Sequence, residues 1–245
     1  AGTSNVLAGK LHGIPTSGTM AHSFVTTFES ELDAFRAYAQ TFPDSTTLLV
    51  DTYDTLEGTR NAIRVAHEME RQSHALRAIR LDSGDLSDLS PKCRAMLDEA
   101  GLHGVQIFAS GGLDELEVDR LLRGGAPING FGIGTRLGVS ADAPTTDCVY
   151  KLVEYDGRPV LKLSPGKQTL PGRKQVFRSR DGAGGYRRDI VALDREPVPE
   201  EPSEPLLSDV IEDGRRLAPD PSLEQLRTRF AREFASLPHF CKSLR

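Results

Sequence analysis

Between Thr46 and Thr135, short apolar runs alternate with longer stretches in which apolar residues recur every three or four positions. The runs are Leu48-Leu49-Val50, Ala78-Ile79, Val105 to Phe108 and Ile128 to Phe131. Each is too short for a helix, and polar or glycine-rich residues follow, so they read as strands. The stretches between them read as helices. Leu56 to Gln72 puts Ile63, Ala66 and Met69 on one face. Ser90-Pro91 reads as the start of a second helix, with Ser90 as its cap, that carries Cys93, Met96 and Leu97 inward and ends at Gly101. Asp114 to Arg123 carries Leu116, Leu121 and Leu122 and ends at Gly124-Gly125. Strands alternating with helices imply a parallel sheet with right-handed crossovers. All four strand ends then share the carboxyl edge, where α/β folds bind ligands.

Outside this block the pattern changes. Residues 1 to 22 are rich in Gly, Ser and Thr, with a short helix expected near Ser4 to Gly9. Ala21 to Gln40 spaces Phe24, Phe28, Leu32, Phe35 and Ala39 as one helix, which Pro43 stops. Val149 to Leu163 alternates across Asp156-Gly157, and Gln175 to Leu193 across Gly182 to Gly185, both as hairpins. Residues 194 to 205 form an acidic, proline-rich connector. Pro219 to Leu237 reads as an amphipathic helix capped by Asp220 and opened by Pro221. Its stripe of Leu223, Leu226, Phe230, Phe234 and Leu237 is expected to dock on the body. The division expected from this is 1–147 for the α/β portion and 148–245 for the trailing hairpin and helix segment. Four βα units do not close a barrel of about eight strands. The sheet is therefore either small and open, or completed by a missing segment or another chain.

Composition narrows the function. The chain has 245 residues and a formal net charge of -5, which argues against a non-specific nucleic-acid binder. Cys93, Cys148 and Cys241 are far apart and signal neither a disulfide framework nor a zinc site. No signal peptide is visible and no apolar run approaches the ~20 residues of a membrane span, so a cytoplasmic protein is expected. Ala1 rather than Met stands first, which is expected of a processed or dissected piece.

The strand endings carry the candidate chemistry. Ser110-Gly111-Gly112 and Gly132-Ile133-Gly134-Thr135 follow the last two strands. Glycines there leave room for a phosphate against backbone N–H groups, though each could be an ordinary turn. Arg80 and Asp82 lie on one face at the second strand's end, as a structural pair or as holders of a phosphate, ribose hydroxyls or Mg²⁺. Asp51 and Asp54 flank Thr52-Tyr53. They could hold Mg²⁺ or stabilise a positively charged sugar, and Asp54 could equally cap the next helix. His22 follows a Gly18-Thr19 turn, where an imidazole could carry a proton or accept a phosphoryl group. Lys162, Lys167, Arg173, Lys174, Arg178 and Arg180 form a basic segment, read either as a solvated face or as a phosphate clamp.

Taken together, Gly2 to Gly9, Gly18-Thr19-Met20-Ala21-His22-Ser23-Phe24, Val50 to Asp54, Arg80 to Asp85 and Gly130 to Thr135 resemble the motif series of nicotinate phosphoribosyltransferase. Cys148 to Val153 and Thr169-Leu170-Pro171-Gly172 resemble its continuation. The resemblance implies the carboxyl-terminal part of such an enzyme: part of a (β/α) barrel of the type II phosphoribosyltransferase kind, with a trailing hairpin and helix segment. It implies transfer of phosphoribose from phosphoribosyl pyrophosphate to nicotinate, coupled to ATP and using Mg²⁺, in NAD salvage. His22 would be the phosphorylated histidine, acting with Asp51 and Asp82. Ser4, Arg80, Ser83, Gly84, Gly111, Gly112, Gly132, Gly134 and Thr135 would bind substrate. Ser4 favours nicotinate, because nicotinamide-using relatives have an aspartate there that would repel a carboxylate. The family's long N-terminal portion is lacking, so a homodimer or a pairing with the missing half is expected. A nicotinamide phosphoribosyltransferase and a non-catalytic phosphate-binding half-barrel are the alternatives.

Overall fold

The computed structural model describes residues 2–140, 149–164, 168–197 and 202–242. Cys148, Lys167 and the middle of the acidic connector lie outside them. The chain falls into two compact units, 1–171 and 172–245.

The first unit opens with α1 (Val6–His12), capped by the Asn5 side chain and ended by Gly13 in the left-handed conformation, a full turn beyond Gly9. The single helix expected over 21–40 is two, α2 (His22–Thr27) and α3 (Glu31–Thr41). The break falls at Phe28 to Ser30, because Ser30 turns extended and its hydroxyl caps Asp33 N. Phe24 of α2 still meets Tyr38 of α3, with ring centroids 5.8 Å apart, so aromatic packing spans the break.

The core block follows in order: β1 (Thr47–Leu49), α4 (Thr55–Glu70), β2 (Ala78–Leu81), α5 (Leu86–Glu99), β3 (Gln106–Ser110), α6 (Glu115–Arg123), β4 (Gly130–Gly132) and the short α7 (Thr135–Gly138). The strands form one four-stranded sheet, order β1-β2-β3-β4, every pairing parallel. Sequential order is what right-handed βα units produce. Leu48, Leu49, Ile79, Leu81 and Ile107 are fully buried, packed with Val65, Ala66, Leu97 and Leu121 from the helices. Leu116 and Leu122 are exposed, so α6 covers the sheet with Leu121 alone of the three.

The start of α5 differs from expectation. Asp85 is the cap, accepting from Ser87 N and Asp88 N, and Pro91 lies inside the helix. Ser90 is buried, its hydroxyl donating to Leu86 O at 2.6 Å. The proline faces the carbonyl of Ser87, an exposed residue whose oxygen water can satisfy.

After the sheet, β5 (Glu154–Tyr155) and β6 (Arg158–Pro159) form the expected hairpin, with Asp156 and Gly157 both at positive φ as a two-residue turn requires. It belongs to the first unit. The second unit contains β7 (Lys174–Arg180) and β8 (Tyr186–Leu193), the other expected hairpin. Part of the connector joins them as β9 (Ser203–Pro205), in the order β8-β7-β9. Asp213-Gly214 makes a small hairpin of β10 (Ile211–Glu212) and β11 (Arg215–Arg216), which the sequence reading passed over. The last long helix, α8 (Leu223–Ala235), is capped by Ser222 in a reciprocal arrangement with Gln225, while Asp220 pairs with Arg216 instead. Leu223, Leu226, Phe230 and Phe234 of the expected stripe lie on this helix, with the Phe230 and Phe234 ring centroids 5.6 Å apart.

Among the described residues, no helix is long and apolar enough to cross a membrane.

Candidate active site

The carboxyl edge of the sheet gathers most of the expected residues. Val50 N still donates to Arg80 O, so the chain stays extended up to Asp51, which is 1% exposed. Asp51 Oδ2 accepts from Asp82 N at 3.1 Å and from the Ser83 hydroxyl. Its other oxygen, Oδ1, is buried without a hydrogen-bond partner and lies 3.9 Å from His22 Nε2. A buried acceptor left open is costly unless something else fills it.

Arg80 organises the next layer. Its guanidinium donates to Asp82 Oδ1 at 2.7 Å, Ser110 Oγ at 2.8 Å, Thr19 Oγ1 at 2.8 Å and Met20 O at 3.4 Å. The Ser110 hydroxyl in turn donates to Asp82 Oδ1 at 2.6 Å. One planar fork therefore links the ends of β2 and β3 to the turn ahead of His22. The two readings of Arg80 and Asp82 are thus not exclusive: they pair, and the pair faces the cluster.

His22 is the first residue of α2. Its Nδ1 is 3.1 Å from Thr52 Oγ1, and its Nε2 is 2.6 Å from Lys162 Nζ and 3.5 Å from Asp82 Oδ2. An ammonium can only donate, so Nε2 accepts and the ring hydrogen sits on Nδ1, given to Thr52. Lys162 is 5% exposed although its sequence neighbours Leu161 and Leu163 are more exposed.

Other expected residues fall outside this contact network. Asp54 caps α4 through Glu57 N. Ser4 stands on the exposed turn ahead of α1, in a segment tied to residues 15–17. Gly84 is at φ +78°, and a Cβ there would come within 2.7 Å of Leu89 Cδ1, so it serves the turn into α5. Gly111 and Gly112 have positive φ, and Ser110 pairs in register with Gly132, so the two glycine loops are neighbours on the same edge. Gly132, Gly134 and Thr135 are exposed there. Of the basic segment, Arg173 pairs with Asp194, Arg178 with Asp189 and Arg180 with Glu204, all within the second unit, whereas Lys162 belongs to the first.

The roles missed at the sequence level are those of the Thr19, Thr52 and Ser110 side chains and, above all, the place of Lys162 beside His22, since the sequence offered Lys162 only as part of a basic segment. The signal for Lys162 was alternation with inverted polarity: Val160, Lys162 and Ser164 are buried.

With this geometry in hand, comparison with known proteins is decisive. Residues 1–181 match the model of the nicotinate phosphoribosyltransferase (NAPRTase) family. The chain belongs to that family. It is 48% identical over 245 residues to nicotinate phosphoribosyltransferase pncB2 of Mycobacterium tuberculosis, covering 100% of this chain and 52% of the relative. It is 47% identical over 204 residues to nicotinate phosphoribosyltransferase of Bacillus subtilis, covering 80% of this chain and 41% of the relative. The chain thus spans about half the length of these relatives. The crystal structure of human nicotinic acid phosphoribosyltransferase superposes with a TM-score of 0.52 at 29% identity, over 100% of this chain and 60% of that one. A structure of nicotinate phosphoribosyltransferase from Vibrio cholerae, at 22% identity and a TM-score of 0.56 over 69% of this chain and 44% of that one, shares the fold.

A third carboxyl group feels the charge of Asp51. Glu31, at the start of α3, is 8% exposed; Asn61 Nδ2 donates to its Oε2 at 3.0 Å, and Oε1 is buried without a partner. Burial pushes its pKa up to about 7, with the Asn61 bond opposing and the charges of Asp51, Glu57 and Asp54 adding. Between the unfolded value near 4.5 and about 7, the folded state holds a proton that the unfolded chain has released. Stability from this group is therefore complete below about 4.5 and falls as pH rises through about 7, by on the order of 2–3 kcal/mol. Glu31→Gln should flatten urea-derived stability between pH 5 and 8, and should be the more stable protein at pH 8. An unchanged slope would remove Glu31 as its source.

Proposed function

We propose that the protein carrying this chain transfers phosphoribose from phosphoribosyl pyrophosphate to nicotinate, in NAD salvage, with ATP hydrolysis coupled through phosphorylation of His22. The four-stranded sheet is, in this reading, part of a (β/α) barrel of the type II phosphoribosyltransferase kind. The observation that carries the proposal is the linked cluster in which His22 lies 3.9 Å from Asp51 and 3.5 Å from Asp82, and Asp82 pairs with Arg80 at 2.7 Å.

The chemistry asks for these residue types. As the bond from the anomeric carbon to pyrophosphate loosens, positive charge develops on the sugar. The open Asp51 Oδ1 is a fixed negative pole that needs no reorganisation to meet it. Asp82, braced by Arg80 and Ser110, supplies a second. The adjacent glycine loops leave room for a 5′-phosphate against the backbone.

Asp51 and Asp82 also fit Mg²⁺, a hard cation that takes one or two carboxylates and completes its shell with water and substrate phosphates. Bound there, it would neutralise the departing pyrophosphate.

The test is incubation of the full-length protein with γ-labelled ATP. Label that is acid-labile and alkali-stable is expected on the wild type and absent from His22→Ala. Equal labelling of the two would remove His22 from the mechanism. Supplying nicotinate and nicotinamide separately should give turnover with nicotinate.

A further inference from the structure

We propose that Lys162 is a positioning and charge-compensating residue for His22, delivered by an arm of the chain that is fastened to the histidine's own helix. The inference deepens the reading of His22 given above and rests on it for its catalytic consequence, though not for its structural part.

The arm is residues 158 to 164, with Thr169 beside it. At its start, the Arg158 guanidinium donates to the last carbonyls of α2: Thr26 O at 3.3 Å, Thr27 O at 2.8 Å and Phe28 O at 3.0 Å. A cation on helix C-terminal carbonyls is favourably placed. Val160 is buried beyond it. Leu163 N donates to Thr52 O at 3.1 Å, and the Ser164 hydroxyl to Asp51 O. Thr169 braces Lys162 from the other direction: Lys162 N donates to Thr169 Oγ1 at 3.0 Å, and Thr169 N to Lys162 O at 3.3 Å. Backbone bonds on both sides therefore place the Lys162 side chain where Nζ meets His22 Nε2 at 2.6 Å.

This placement has two effects. The first is on the proton. With the ammonium on Nε2, the ring hydrogen stays on Nδ1 and goes to Thr52. Without it, Nε2 can take the hydrogen and give it to Asp82 Oδ2, now 3.5 Å away. The second effect is on charge. Nε2 lies within 3.9 Å of carboxylate oxygens from both Asp51 and Asp82. A phosphate donor arriving at His22 is itself an anion and meets that field. A buried ammonium beside the ring offsets the repulsion without reorganising.

The experiment has two readouts on the full-length protein. The first is the set of ¹⁵N chemical shifts of the His22 ring, which report the hydrogen-bearing nitrogen whether or not the ring is ever phosphorylated. The wild type should carry the hydrogen on Nδ1. Lys162→Met should shift the population towards Nε2, and Lys162→Arg, which keeps the charge, should stay near the wild type. The second is the rate of labelling from γ-labelled ATP. Lys162→Met should lower the maximal rate about a hundredfold, with the ATP concentration for half-maximal rate changed less than threefold. Lys162→Arg should recover part of it. A merely structural role would not separate the charge-keeping from the charge-removing variant.

Ring shifts unchanged in Lys162→Met would overturn the proposal, as would labelling within twofold of wild type. If the wild type takes no label, or His22→Ala takes as much, the phosphohistidine reading falls, and the ring shifts alone decide the role of Lys162.

Discussion

Replacing Gly58 by alanine should cost the folded protein about 3 kcal/mol. Gly58 is in the first turn of α4, where the helix crosses the end of β1. A Cβ built there would lie 2.0 Å from Val50 O and 2.8 Å from Val50 C. Both are backbone atoms, so no side chain can rotate away. Alanine's better helix propensity returns at most about 1 kcal/mol, well short of that clash. Val50 is also hydrogen-bonded to Arg80 O and directly precedes Asp51, so the movement that relieves the clash shifts the site. Thermal unfolding should show a midpoint lower by roughly 6–12 °C, together with reduced labelling of His22. An unchanged midpoint would mean that α4 can lift from the sheet at little cost.

Arg80→Leu should reduce kcat/KM for nicotinate by at least about a hundredfold, equivalent to ~2.7 kcal/mol of transition-state stabilisation. The side chain is one plate with four partners on three segments, and no smaller cation can reproduce it. Loss of the fork leaves Asp82 without its cation and frees the turn at Thr19 and Met20, which leads directly into His22. Arg80→Lys keeps the charge but not the planar geometry, and should still lose tenfold or more. Steady-state kinetics on the full-length protein, with circular dichroism to confirm folding, would measure both. If Arg80→Leu stays within threefold of wild type, the layer built on Arg80 is structural only.

The family motifs and the site they build are legible in the sequence to different depths. Asp51, Arg80 and Asp82 stand at strand ends, and period-two alternation places them on one edge without reference to the rest of the chain. The glycine loops follow for the same reason, since Ser110 and Gly132 end neighbouring strands. Asp54 as a helix cap needed only its position before Thr55. Local signals failed where two of them competed. Ser90-Pro91 resembles a helix start, but Asp85 caps one turn earlier, where Gly84 at φ +78° has already turned the chain. The apolar pattern of 21–40 runs through a break because α2 and α3 pack on each other there, Phe24 against Tyr38. In α8, a regular apolar stripe was enough to specify the helix.

By itself, then, the sequence determined the parallel sheet, the shared edge and most of the side chains on it, because strand period and chain direction are local properties of the backbone. It also determined the β5–β6 and β7–β8 hairpins, through turn residues that tolerate positive φ. Only the tertiary structure decided that Lys162 lies against His22. The two are 140 positions apart, and hydrophobic patterning would turn Leu161 and Leu163 inward rather than Lys162. What reversed that preference is the hydrogen bonding of the arm to Thr52 and Asp51 on one side and to α2 on the other, long-range contacts that no window of sequence contains.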